Sequence, residues 1–143
     1  DEDFKARLLE DANQTIRDFG IEVDVLKMVA LENTSDLHHV VVCTLCSCYP
    51  RPILGVPPLW YKSKQYRSRV VREPRAVLNE FGTSLTKDTE VRVVDSTADC
   101  RYLVIPVRPS GTENMTEQEL AKLVTRDSMI GTAQALDPLG LRS

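Results

Sequence analysis

Apolar side chains recur at Phe4, Leu8, Ala12, Ile16 and Phe19, three or four residues apart, and Gly20 ends the series. That spacing predicts one helix with a single apolar stripe, stopping at Gly20. Ile21, Val23 and Val25 then alternate with polar residues like the start of a strand. Asn33-Thr34-Ser35-Asp36 has the composition of a turn, and residues 37–42, ending in Val40-Val41-Val42, read as a buried strand. Pro50, Pro52, Pro57 and Pro58 crowd the next stretch and predict an irregular exit, because proline lacks an amide donor. Residues 63–72 and 74–81 read as two helices, the second with Pro74 at its start and Gly82 beyond its end. Val91, Val93 and the run 102–107 predict a strand pair. Thr116-Glu117-Gln118-Glu119 has the form of a capping box opening a last helix.

Helices and strands thus mix in an α+β pattern, read as one domain over residues 1–131 with a tail over 132–143. A chain of 143 residues is long enough to bury about two thirds of its unfolded surface. Its formal charge of -3 offers no general basic face for nucleic acid. The basic stretch 62–75 is interleaved with Tyr66, Val70 and Val71, the pattern of an amphipathic helix. No apolar run approaches the ~20 residues that span a membrane. No signal peptide is visible, although the sequence starts at Asp1 without Met, and unpaired cysteines held in a motif point to the cytoplasm.

Three of the four cysteines fall within six residues, Cys43-Thr44-Leu45-Cys46-Ser47-Cys48. Cys46 and Cys48 flank one serine, so their sulfurs and the backbone nitrogens of Ser47 and Cys48 can form a plane of four donors. The chelate rings this closes are five- and six-membered, hence low in strain. Cys43 can add a third thiolate on the axis, leaving the opposite position open for water or substrate. Amide nitrogens ligate only when deprotonated, which calls for a strongly polarising trivalent cobalt or iron; zinc prefers a tetrahedron of thiolates and imidazoles. Three plainer readings stand beside this one. A Cys46–Cys48 disulfide is strained. Inert buried thiols fit the apolar run before Cys43. A structural zinc site completed by His38, His39 or Cys100 lacks the paired CxxC knuckles.

The segment Val42-Cys43-Thr44-Leu45-Cys46-Ser47-Cys48 resembles the metal loop of the nitrile hydratase alpha subunit and of the related metal-bearing gamma subunit of thiocyanate hydrolase. The resemblance continues through residues 55–62, 66–78, Phe81-Gly82 and 124–131, and covers roughly residues 4–131. It implies a layered α-β-β-α sandwich with the loop at a strand end; family members usually carry a longer N-terminal helical arm, expected here to be short or absent because little precedes Phe4. It places sulfur ligands at Cys43, Cys46 and Cys48 and backbone-nitrogen ligands at Ser47 and Cys48. Thr44 matches the position where family members with threonine hold low-spin Co(III); those with serine hold Fe(III), the alternative here. It further implies oxidation of Cys46 to a sulfinic and Cys48 to a sulfenic acid, with Cys43 unmodified. Asp95-Ser96 resembles a family position near the metal pocket, while the family gives His39 no ligand role.

Three thiolate-type sulfurs and two ionised amides bring five negative charges to a trivalent ion. The excess needs cations nearby, because the idealised cost of burying a single ion is of order 20 kcal/mol. The resemblance implies that two arginines come from a partner beta-type subunit, with Arg67, Arg69, Arg72 and Arg75 left to supporting roles. Thr44 and Tyr49 are candidates to brace the ligands. Arg51 departs from the bulky aromatic expected there and brings a cation three residues past Cys48, which suits an anionic or polar substrate. The resulting expectation is a lyase that hydrates a small nitrile to its amide, with Cys48, Ser47 and Arg51 as its catalytic residues. The alternatives are the metal subunit of a thiocyanate hydrolase and a non-catalytic metal-binding interaction module. Neither nucleic acid nor membrane is an expected partner.

Overall fold

The computed structural model describes residues 1–23 and 26–138. The elements run α1 (Glu2–Glu10), α2 (Ala12–Asp18), β1 (Lys27–Glu32), β2 (Leu37–Val42), α3 (Arg51–Leu54), α4 (Leu59–Lys62), α5 (Lys64–Arg72), α6 (Pro74–Glu80), β3 (Glu90–Asp95), β4 (Cys100–Ile105), α7 (Glu117–Ala121) and α8 (Arg126–Met129). The strands form two parallel pairs, β1 with β4 and β2 with β3. Leu8, Ala12 and Ile16 pack with Met28 and Ala30 on one side. On the other, Val40, Val41 and Val42 pack with Tyr66, Val70, Val77 and Leu78, and Val104 of β4 joins that core. Helices therefore cover both outer faces of two stacked strand pairs, an α+β sandwich in the order α-β-β-α.

Several local expectations change. The single predicted N-terminal helix is broken at Asp11, whose amide donates to the Arg7 carbonyl while its carboxylate caps α2 through Gln14 N at 3.1 Å. An aspartate satisfies free helix amides better as an N-cap than in mid-helix. Ile21 and Val23 precede the strand, which begins at Lys27; Val25 lies outside the described residues. β3 and β4 do not pair with each other. Each instead has a parallel partner in the N-terminal half, and a parallel pair needs the long connections that carry the helices. The proline-rich exit is more regular than predicted. Pro52 sits in the first turn of α3, where a missing amide costs nothing, and Pro58 precedes α4. Thr116 caps α7 through Glu119 N, yet the reciprocal capping box belongs to Thr125 and Ser128 of the short α8 that follows.

The α8 end is locked against β2. Val41 N donates to Ile130 O at 2.8 Å. The buried His38 joins Gly131 O through Nε2 at 2.7 Å and Asn33 Nδ2 through Nδ1 at 3.1 Å, while Asn33 Oδ1 accepts from His39 N and Nδ1. Both histidines are thereby absorbed in structure. Packing continues past Gly131: Thr132 is buried and its carbonyl accepts from Thr83 Oγ1, and Leu136 N donates to Leu123 O.

Candidate metal centre

β2 ends at Val42, and the next six residues leave the sheet as a loop whose sulfurs turn toward one point. Cys43 and Cys48 are buried and Cys46 is exposed; none forms a disulfide. The Sγ atoms of Cys43 and Cys46 lie 3.3 Å apart and those of Cys46 and Cys48 3.1 Å apart, and all three fall within 4.8 Å of one another. A common centre about 2.3 Å from each sulfur separates neighbouring sulfurs by roughly 3.3 Å at right angles, but by roughly 3.8 Å at the tetrahedral angle. Cys46 therefore sits near the right-angle spacing from each of its two neighbours, closer than a tetrahedral zinc site would set those two pairs. Neither His38 nor His39 is part of the cluster, and Cys100 on β4 is also outside it.

The groups around the loop favour negative charge on one of its sulfurs, that of Cys46. Cys46 N donates to Cys43 Sγ at 3.3 Å. Hydrogen bonding from the Cys48 and then the Cys43 side chain, aided by the Cys48 and Ser47 backbone amides, brings the Cys46 thiol down to about 7. Burial, reinforced by competition from the Cys46 and Cys43 sulfurs, pushes Cys48 up to about 12, with the Arg101 charge acting against the rise. The backbone amides of Ser47 and Cys48 thus lie within hydrogen-bonding reach of the Cys46 sulfur.

Four tethers hold the loop. Asp95, at the end of β3, accepts from Thr44 N at 2.9 Å and from Thr44 Oγ1 at 2.6 Å. Arg67 Nη1 reaches Thr44 O at 3.4 Å from α5. The phenol of Tyr61, fully buried on α4, donates to Cys48 O at 2.6 Å, and Arg101 Nη1 of β4 donates to Tyr49 O at 2.9 Å. Beneath them Tyr66 OH donates to Val41 O at 2.8 Å. Tyr49 and Tyr61 stack edge to face with centroids 5.0 Å apart.

Of the predicted supporting arginines only Arg67 reaches the loop. Arg69 pairs with Glu73 at 2.7 Å and also with Glu80, Arg72 bonds Ser68 O on its own helix, and Arg75 bonds the carbonyls of Thr86 and Thr89. Arg101 takes a role that the sequence did not reveal, as does Tyr61. Their contacts span 52 and 13 residues, and no local pattern marks them. Arg51 opens α3 on the exposed side, three residues past Cys48. No helix among the described residues is long and apolar enough to cross a membrane.

Comparison with known proteins agrees with this geometry. The family description "Nitrile hydratase, alpha chain" matches residues 1–133. The low-molecular-weight cobalt-containing nitrile hydratase subunit alpha of Rhodococcus rhodochrous is 55% identical over 139 residues, covering 96% of this chain and 67% of that protein. Thiocyanate hydrolase subunit gamma of Thiobacillus thioparus is 55% identical over 115 residues, covering 80% of this chain but 47% of that protein. Among solved structures, a double mutant of the iron-type nitrile hydratase from Comamonas testosteroni Ni1 superposes with a TM-score of 0.91 at 44% identity, covering 96% of this chain and 68% of that one. Relatives with cobalt and with iron thus share the sequence and the fold. The chain belongs to the nitrile hydratase alpha chain family.

Proposed function

We propose that this chain is the metal-bearing subunit of a nitrile hydratase, adding water across a nitrile to give the amide, with Cys43, Cys46 and Cys48 as sulfur ligands and Ser47 and Cys48 as backbone-nitrogen ligands. The observation that carries the proposal is the convergence of three unpaired cysteine sulfurs within 4.8 Å of one another, with Cys46 3.3 Å from Cys43 and 3.1 Å from Cys48. Low-spin Co(III) is the favoured ion, on Thr44 and the cobalt-containing relatives, with Fe(III) as the alternative. When bound, the metal supplies Lewis acidity at one open position.

The residues of the chain do the rest. Exposed Cys46 and buried Cys48 differ in access to an oxidant of the dioxygen or peroxide class, which supports two added oxygens on Cys46 and one on Cys48. The single oxygen on Cys48 would either take a proton from the water that attacks the nitrile carbon, or attack that carbon itself, the S–O bond then breaking as water restores the oxygen on sulfur and the amide leaves. Ser47, the residue before Cys48, would offer its hydroxyl to that oxygen, and the Tyr61 tether on the Cys48 carbonyl holds the backbone that carries it. Arg67 and Arg101 place positive charge beside the loop, yet both direct their hydrogen bonds to backbone carbonyls. The remaining negative charge calls for arginines from a beta-type partner, donating paired hydrogen bonds to the sulfur-bound oxygens.

Arg51 supports a second reading. A cation three residues past Cys48 suits thiocyanate, and the thiocyanate hydrolase gamma subunit is as similar over its matched length as the nitrile hydratases are. Metal analysis together with mass spectrometry of the loop peptide tests both enzyme readings. Cobalt or iron with three added oxygens is the expected result; zinc, or an unoxidised loop in cobalt-loaded protein, refutes them. Turnover of an apolar nitrile against thiocyanate then separates the two.

A further inference from the structure

Three buried polar side-chain atoms among the described residues lack a hydrogen-bond partner: Tyr49 OH, Arg67 Nε and Ser96 Oγ. All three belong to residues in or against the metal loop. Ser96 is the most telling, because its position relative to a ligand follows from sheet register. β2 and β3 pair in parallel with Val42 opposite Asp95, and Ser96 N donates to Val42 O at 2.7 Å. Continued one residue past the strand ends, that register would bring Ser96 beside Cys43. Both residues are 1% exposed, and in a parallel pair neighbours in register present their side chains to the same face. Asp95, immediately before Ser96, holds Thr44, immediately after Cys43, so the two backbones are pinned together on this side.

A buried hydroxyl without a partner is costly, and native proteins keep such groups where some state of the molecule uses them. A neutral thiol is a weak acceptor, whereas a thiolate accepts a strong, charge-assisted bond. We propose that Ser96 is a positioning residue of the metal centre: its buried hydroxyl donates to the Cys43 sulfur once that sulfur is a metal-bound thiolate. The inference rests on the metal-centre reading above. A hydrogen bond to a ligating thiolate withdraws electron density from it. Ser96 would thereby tune how firmly Cys43 holds the metal.

The test compares Ser96→Ala with the unaltered full chain, each with and without cobalt loaded in the presence of oxygen. In the metal-free protein the substitution removes an unpartnered hydroxyl, so the melting temperature stays the same or rises. In the loaded protein the sulfur-to-metal charge-transfer absorption moves to longer wavelength, and metal loss to a chelator under reducing conditions quickens by about tenfold. An unchanged absorption band with unchanged metal retention overturns the inference. A lower metal-free melting temperature with an unchanged band assigns Ser96 a packing role and overturns it as well. An unaltered chain that takes up neither cobalt nor iron overturns the metal-centre reading itself, and the Ser96 inference with it.

Discussion

Replacing Tyr61 with Phe isolates one tether of the metal loop. The ring is fully buried and keeps its contacts with Tyr49 and Tyr66, at 5.0 and 5.8 Å between centroids, so the variant changes little but the hydroxyl. That hydroxyl donates to Cys48 O at 2.6 Å in a buried setting. Leaving a buried carbonyl without its donor costs ~2 kcal/mol, within the range measured for such deletions. For a chain of this length that corresponds to a fall of about 6 °C in melting temperature. The same free energy, expressed locally as loop opening, raises the open fraction by roughly 30-fold, since ~1.4 kcal/mol is tenfold. Faster loss of metal to a chelator is the local readout, and calorimetry the global one. Burial pushes the Tyr61 phenol well above its ordinary range, so it remains a neutral donor and the effect is the same at pH 6 and pH 9. A Tyr61→Phe protein with unaltered melting temperature and metal retention refutes the assignment of Tyr61 as a loop tether.

Other consequences follow from single contacts. Gly131→Ala sets a Cβ 1.9 Å from the His39 carbonyl oxygen at a φ of +84°, so the α8 end must move off β2; a loss above ~4 kcal/mol is expected in urea unfolding, and a loss under ~1 kcal/mol refutes it. Burial lowers the pKa of both His38 and His39 below the ordinary 6.5. The unfolded chain therefore takes up protons that the folded one refuses. Their contribution is complete above pH ~6.5 and falls as the pH drops toward the folded values, by at most about 1.4 kcal/mol per pH unit for each histidine. Urea midpoints at pH 7.5 and 5.5 check this, and replacement of His38 by Asn should flatten the difference. Arg51→Trp should depress thiocyanate turnover far more than apolar nitrile turnover if Arg51 reads an anion; equal effects on both remove that role.

The metal loop was legible because its donors are neighbours in the chain. Chelate rings through Cys46, Ser47 and Cys48 are a matter of bond connectivity, and the structure brings those sulfurs together with Cys43 at the end of the strand predicted for residues 37–42. Helices α5 and α6 were equally readable, since Pro74, Gly82 and the apolar spacing act within a few residues. Where local rules competed, sequence reading erred: at Asp11 the cap overrode an unbroken apolar stripe. The pairing of β3 and β4 with strands of the N-terminal half was decided in three dimensions, by which apolar faces could be covered from both sides. The same holds for the groups that brace the loop. Tyr61, Arg101 and Asp95 lie 13 or more residues from the groups they hold, and a hydrogen bond between remote segments leaves no periodicity to read. Sequence by itself pointed to the three clustered cysteines and to the proposed donor set; tertiary structure decided how the loop is held and which charges stand near it, because both depend on segments that only folding brings within hydrogen-bond distance.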